Sequence, residues 1–97
     1  MKPTTLKIYP SKKGARLNLQ ETGRYGLPVG TRYDVVYYAN SITLLIRDTG
    51  KRTIGSPSRG GVIDFDSRKV QLWAGGVSEV SIVEGTEFIS FIKKEIA

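Results

Sequence analysis

The fold is decided by the stretch YDVVYYANSITLLI, residues 33–46. Residues 33–37 and 42–46 place apolar or aromatic side chains at every second position, which is the period of a strand with one buried face. The short segment Ala39-Asn40-Ser41 between them predicts a tight turn. This stretch therefore predicts a β-hairpin.

The same alternation recurs along the rest of the chain, at residues 6–9, 15–20, 62–66 and 79–82, and a turn at 84–86 leads into a further apolar run at 88–92. Eleven glycines and four prolines in 97 residues supply many turns between these short runs. We therefore expect a mostly β protein of seven or eight strands, closed into a small barrel-like fold.

Helical structure is expected in two short places only. Asp66-Ser67 can cap a helical stretch from Arg68 to Trp73, with Val70 and Trp73 facing inward. Residues 21–27 contain two glycines, so we expect no more than a turn or two there.

The two halves of the chain overlay on one another. At an offset of 46 residues Leu17 falls on Ile63 and Leu19 on Phe65, and one residue of slippage then puts Val35 on Val80. This predicts one compact domain, 1–97, made of two interleaved pseudo-repeats at about 4–48 and 53–94. The Gly/Ser/Pro-rich basic loop 49–61 would link them. Any all-β chain with regular turns also overlays itself loosely, so a single extended sheet stays an alternative.

The composition excludes several kinds of chemistry. With neither cysteine nor histidine, the chain has no disulfide, no thiolate or imidazole ligand and no Ser-His or Cys-His nucleophile. Asp64 and Asp66 could hold a hard cation on one strand face, but a solvated acidic strand is the favoured interpretation. We expect a protein that is not an enzyme and uses no cofactor or metal.

The chain has no apolar leader segment and no run of membrane-spanning length. We expect a cytoplasmic protein with no membrane contact.

The charge is unevenly placed. Residues 1–50 carry eight Lys/Arg and three acids, a balance of +5, whereas residues 51–97 carry seven and six, a balance of +1. A basic half is typical of proteins that bind a polyanion, most often nucleic acid, although a net charge of +6 is also ordinary for a soluble domain.

The first half resembles the AbrB/MazE-type swapped-hairpin domain. The likeness lies in the strand at 5–8, the basic turn and strand at 12–19, the apolar-Gly turn at 26–30 and the hairpin that follows. It covers roughly residues 4–47 and, less closely, 53–93. It departs from the family at Leu19-Gln20, where an Ile-Pro pair is usual, and at Thr31, where an acid is usual. The resemblance implies two units that interleave their hairpins and bind DNA through basic residues.

The candidate DNA contacts are basic and amide side chains. A tight turn at Gly14 brings two lysines together, and the strand places Arg16 on the face of two amides that suit base edges. The basic linking loop supplies further cations for phosphates. The predicted nucleic-acid-binding residues are Lys12, Lys13, Arg16, Asn18, Gln20, Arg24, Lys51, Arg52 and Arg59. A solvated sheet face with a lysine-rich turn would show the same residues.

The expected function is that of a small transcriptional regulator that binds duplex DNA. The alternative is a protein-binding module or inhibitor, of the kind that viruses or mobile elements encode, which acts through the Asp64/Asp66 face or an exposed strand edge. A third interpretation is single-stranded nucleic-acid binding, with Tyr38 or Tyr25 stacking on bases. A homodimer and a protein partner both stay open.

Overall fold

The computed structural model describes residues 2–94, so residue 1 and residues 95–97 of the expected 1–97 domain lie outside the described part. Nine strands, one α-helix and two 3₁₀ turns make up this part. The strands are β1 (Thr5–Lys7), β2 (Tyr9–Ser11), β3 (Gly14–Gln20), β4 (Arg32–Tyr37), β5 (Ser41–Ile46), β6 (Arg52–Thr53), β7 (Val62–Ser67), β8 (Glu79–Glu84) and β9 (Phe88–Lys93). The helix α1 covers Arg68–Ala74, and the 3₁₀ turns cover Thr22–Tyr25 and Pro57–Arg59. The expectation of a mostly β fold is confirmed.

Six strands form one curled sheet, in the order β1-β8-β9-β5-β4-β6. The two hairpins, β4–β5 and β8–β9, lie side by side through antiparallel pairing of β5 with β9. Strand β1, from the first half of the chain, pairs with β8 and borders the second hairpin. Strand β6, from the boundary between the halves, pairs with β4 and borders the first hairpin. The two halves of the chain therefore interleave within this sheet.

The seam between the hairpins carries a buried polar pair. Thr43 lies opposite Ser90, and their hydroxyl oxygens are 2.8 Å apart. On either side Ile42 pairs with Phe91 and Leu44 with Ile89, all four buried. If Thr43 and Ser90 are taken as equivalent positions of the two hairpins, the hairpins are 47 residues apart in sequence and Tyr33 corresponds to Val80. The sequence overlay puts Val35 on Val80, so the two equivalences differ by two residues on β4 and β8.

A second sheet, in the order β2-β3-β7, covers the first. Ala15, Leu17 and Leu19 of β3 point into the core, while Arg16 and Gln20 are exposed, as the alternation predicts. On β7, Ile63 and Phe65 face the same core. The core holds residues from both sheets, from α1 and from the turns: Ala15, Leu17, Leu19, Tyr25, Leu27, Tyr33, Ile42, Leu44, Ile54, Ile63, Phe65, Val70, Val80, Ile89 and Phe91.

The short helix begins where the sequence predicts. The Ser67 hydroxyl accepts a hydrogen bond from the Val70 amide at 3.2 Å, which caps the first turn. Val70 is fully buried and Trp73 half-buried, so both face inward as expected. The glycine-containing segment 21–27 forms only the 3₁₀ turn Thr22–Tyr25.

Segment 49–61 contains strand β6 and the second 3₁₀ turn. Ile54 is 1% exposed, its amide donates to the Thr31 carbonyl and its carbonyl accepts from Gly30. The segment therefore contributes to the core as well as connecting the two hairpins.

Candidate nucleic-acid interface

The lysine turn, residues 12–14, packs directly against the start of α1. Gly14 has a φ of +137°, and a Cβ built on it would lie 2.7 Å from the Arg68 Cα and from the Ser67 carbonyl oxygen. Only glycine fits this close approach. The neighbouring residue Ala15 pairs with Ser67, so β3 begins beside the end of β7. The lysine turn therefore adjoins the first turn of α1, which carries Arg68 and Lys69, although 55 residues separate Lys13 from Arg68 in sequence.

These four side chains, Lys12, Lys13, Arg68 and Lys69, are here named the basic edge. All four are exposed, and none of them forms an ion pair within residues 2–94. The list of predicted contacts contains the two lysines of the turn but not Arg68 and Lys69, which come from the less basic half. The missing information was the pairing of β3 with β7.

The exposed side of β3 and β7, here named the β3–β7 face, carries both signs of charge. Arg16 Nε lies 2.9 Å from Asp64 Oδ1, and Asn18 Nδ2 donates to the same oxygen at 3.1 Å. Asp66 lies opposite Arg16 in the strand register and accepts a 2.6 Å hydrogen bond from the Ser11 hydroxyl. The predicted contacts Arg16 and Asn18 thus share one surface with two carboxylates.

The environment of Asp64 favours its charged form. Burial acts to raise the pKa of this carboxyl, but the hydrogen bonds from Arg16 and Asn18, with the charges of Arg16 and Lys13, outweigh burial and lower the pKa below its ordinary value of 3.8. The same contact raises the pKa of Arg16. Arg16 therefore has a permanent counter-ion close to it at neutral pH.

Three predicted contacts lie at the opposite end of the β3–β7 pair from the basic edge. Gln20 is exposed at the end of β3, opposite Val62. Arg24 forms an ion pair with Glu21 at 3.2 Å, and the Arg59 carbonyl accepts from the Glu21 amide at 3.3 Å. Glu21 reduces the positive charge at this end.

Lys51 and Arg52 lie in a cleft formed by β4, β6, β7 and α1. One part of this cleft is a cavity of about 390 Å³ lined by Asp34, Val35, Tyr37, Arg47, Lys51, Arg52 and Lys69. A second cavity, of about 360 Å³, is lined by Tyr37, Arg52, Asp64, Phe65, Asp66, Ser67 and Lys69. Arg47 and Lys69 were not among the predicted site residues. Since Lys69 lines both cavities, the cleft adjoins the basic edge.

The two tyrosines considered for base stacking differ in accessibility. Tyr25 is 8% exposed and its hydroxyl donates to the Pro3 carbonyl at 2.6 Å, so its ring belongs to the core. Tyr38 is 54% exposed, and its carbonyl accepts a 2.8 Å hydrogen bond from the Trp73 indole nitrogen. Of the two, Tyr38 is the one with a ring open to solvent.

Among residues 2–94 no group of three or more acidic side chains is arranged to hold a metal ion. The described part of the chain also contains no helix with the length and hydropathy needed to cross a membrane.

The chain matches no protein-family model, no curated protein and no solved structure.

Proposed function

We propose that this protein binds duplex DNA through the basic edge, in the manner of a small transcriptional regulator. The observation that carries the proposal is the convergence of Lys12, Lys13, Arg68 and Lys69 at one end of the molecule, with no ion pair to any of them within the described residues. Exposed lysine and arginine side chains bind phosphates and release condensed counterions, which drives association with DNA.

The position of the basic edge supports a backbone contact. The lysine turn and the first turn of α1 are held together through Gly14 and Arg68, so four cations are presented without the entropic cost of bringing two loops together on binding. The β3–β7 face adjoins this edge, and Arg16, Asn18 and Gln20 would lie nearer the bases. Asp64 and Asp66 limit how closely a phosphate can approach that face.

The experiment is a fluorescence anisotropy titration of a random-sequence DNA duplex at low salt. Lys13→Ala/Arg68→Ala removes two charges from the basic edge, and Lys2→Ala/Arg59→Ala removes two from the opposite end. We expect the first variant to lose about tenfold or more in affinity and the control about twofold at most, since each phosphate contact adds to the binding constant. Equal losses in the two variants, or no binding by the native chain, would overturn the proposal.

Protein binding is the second candidate function, because β7 has an exposed edge. Within residues 2–94, and apart from the single bridge between Gly55 and Val62, β7 pairs with no strand other than β3. A strand with a free edge can accept an extended segment of a partner through main-chain hydrogen bonds. Phe65→Pro would alter this edge without changing the charge, but it would also disturb the core because Phe65 is buried. Asp64→Pro, at an exposed position, is the better probe, and Asp64→Asn is its control for the lost charge. Loss of partner binding in Asp64→Pro alone, with DNA binding like that of Asp64→Asn, would favour this function.

A further inference from the structure

The two cavities of the cleft adjoin one another. Tyr37, Arg52 and Lys69 line both of them, so the two cavities lie side by side and share these three side chains as their border. Each cavity alone, at about 390 and 360 Å³, reaches the size range of small-ligand sites. The cleft is therefore large enough for a ligand of nucleotide size.

One end of the cleft is cationic. Arg47, Lys51, Arg52 and Lys69 surround the first cavity, and Asp34 is the acid among its lining residues. Asp34 is already engaged, by Arg47 Nη1 at 3.5 Å and by the Lys51 amide at 3.0 Å. Four cations against one acid leave an excess of positive charge, which suits a phosphate group.

The floor of the cleft is aromatic. Phe65 is 4% exposed and Tyr37 is half-buried. The guanidinium of Arg52 lies 5.5 Å from the centre of the Phe65 ring, and the Lys69 ammonium lies 4.3 Å from that of Tyr37. These contacts position two of the cations without a carboxylate partner, and they place ring surface beside the phosphate-binding end.

The other end of the cleft offers hydrogen-bond acceptors. Asp64 and Asp66 line the second cavity, and their known partners, Arg16, Asn18 and Ser11, all come from β2 and β3. A carboxylate has about four acceptor positions, so each has capacity for a donor from within the cleft. Arg52 and Lys69 line this cavity too, so its two carboxylates are matched by two cations. The carboxylates disfavour a phosphate beside them and can accept hydrogen bonds from an amino group.

We propose that this cleft binds a nucleotide, with its phosphate against Arg47, Lys51, Arg52 and Lys69 and an amino-bearing base directed toward Asp64 and Asp66. The proposal does not require DNA binding, because Lys12, Lys13 and Arg68 do not line the cleft and Lys69 is the residue that the cleft shares with the basic edge. It would give the protein a small-molecule ligand in addition to a polyanion.

Isothermal titration calorimetry with purified nucleoside monophosphates tests the proposal. AMP, GMP and CMP carry an exocyclic amino group, and we expect them to bind more tightly than UMP, which has none. Adenosine, which lacks the phosphate, should bind at least about tenfold more weakly than AMP, as expected for the loss of charge-assisted hydrogen bonds. No heat with AMP at millimolar concentration would overturn the site, and equal affinities of AMP and inorganic phosphate would overturn the role of the acidic end.

Two variants locate the site. Lys51→Ala should weaken AMP binding by about tenfold, since the side chain supplies one of the phosphate-binding charges. Lys7→Ala removes the same charge from β1, at the opposite edge of the six-stranded sheet, and should leave AMP binding within about twofold. Equal effects of the two variants would contradict the assignment. Circular dichroism confirms that each variant is folded, and Lys13→Ala/Arg68→Ala should retain AMP binding while losing DNA affinity.

Discussion

Arg16 and Asp64 lie on neighbouring strands, with 2.9 Å between the arginine Nε and the carboxylate Oδ1. The strand register puts Asn18 directly opposite Asp64, and Asn18 donates to the same oxygen. The charge of Arg16 on the exposed face of β3 is therefore balanced by Asp64, which belongs to the second half of the chain. Because Arg16 is paired and the side chains of the basic edge have no ion pair within residues 2–94, the unbalanced positive charge lies at the basic edge.

Neutralising Asp64 should strengthen DNA binding. Asp64→Asn keeps the shape and the hydrogen-bond acceptor but removes the charge beside Arg16, so we expect the affinity for duplex DNA to rise by up to about fivefold at low salt. Glu87→Gln, in the turn between β8 and β9, removes the same charge elsewhere and serves as the control. Anisotropy titrations measure both, and an equal gain in the two variants would show that only net charge matters.

Asp64 should also contribute a pH-dependent part of the stability. Its pKa in the folded protein lies below the ordinary value of 3.8, so the stabilisation is present above pH 3.8 and is lost as the pH falls through the folded-state pKa. Thermal unfolding of the native chain and of Asp64→Asn across this range measures the effect. We expect a higher melting temperature for the native chain near neutrality and a difference that shrinks below pH 3.8. A difference that stays constant with pH would be at odds with this origin.

The Thr43–Ser90 pair should stabilise the seam between the hairpins. Thr43→Val keeps the shape but leaves the buried Ser90 hydroxyl without its 2.8 Å partner, so we expect a loss of about 1–3 kcal/mol in the free energy of unfolding. Urea denaturation measures the loss. In the double variant Thr43→Val/Ser90→Ala no hydroxyl is left unpaired, so the loss should be smaller than the sum of the two single losses. Simple additivity would mean that the hydroxyls do not interact.

Two glycines near β6 provide a matched pair of substitutions. A Cβ on Gly50 would clash with the Tyr33 amide nitrogen and lie 2.7 Å from the Tyr33 Cα, whereas a Cβ on Gly55 would meet nothing within 4 Å. We expect Gly50→Ala to cost about 1–3 kcal/mol or more, because backbone must move, and Gly55→Ala to change stability by less than about 1 kcal/mol. Urea denaturation of both variants checks this, and equal stabilities would contradict the close approach of Gly50 to β4.

Local patterns in the sequence predict the elements better than their pairing. The alternation in residues 15–20 and the cap at Ser67 each act within one element, and the structure has both where they were expected. The sequence overlay spaces Val35 and Val80 by 45 residues, whereas the Thr43–Ser90 pair is spaced by 47. Both overlays are possible because β-branched and aromatic residues occupy both faces of β4. Only the seam through Thr43 and Ser90 fixes the register of the hairpins.

The predicted site illustrates the same limit. Lys12 and Lys13 could be found from the sequence because a glycine turn brings neighbours together. Arg68 joins them only through the contact of Gly14 with α1, and Lys69 joins Arg47, Lys51 and Arg52 only through the packing of α1 near β4 and β6. These are contacts between residues far apart in sequence, which no local pattern encodes. The charge balance of each half does not encode the basic edge either, since this edge draws on both halves.

The salt dependence of DNA binding tests the central claim most directly. Each phosphate neutralised by a side chain adds about 0.9 to the slope of log Kobs against log salt concentration on duplex DNA. We predict that Lys13→Ala/Arg68→Ala lowers the magnitude of this slope by about 2, whereas Lys2→Ala/Arg59→Ala leaves it within about 0.5 of the native value. A slope that is unchanged in the basic-edge variant, or that falls equally in the control, would contradict binding through the basic edge.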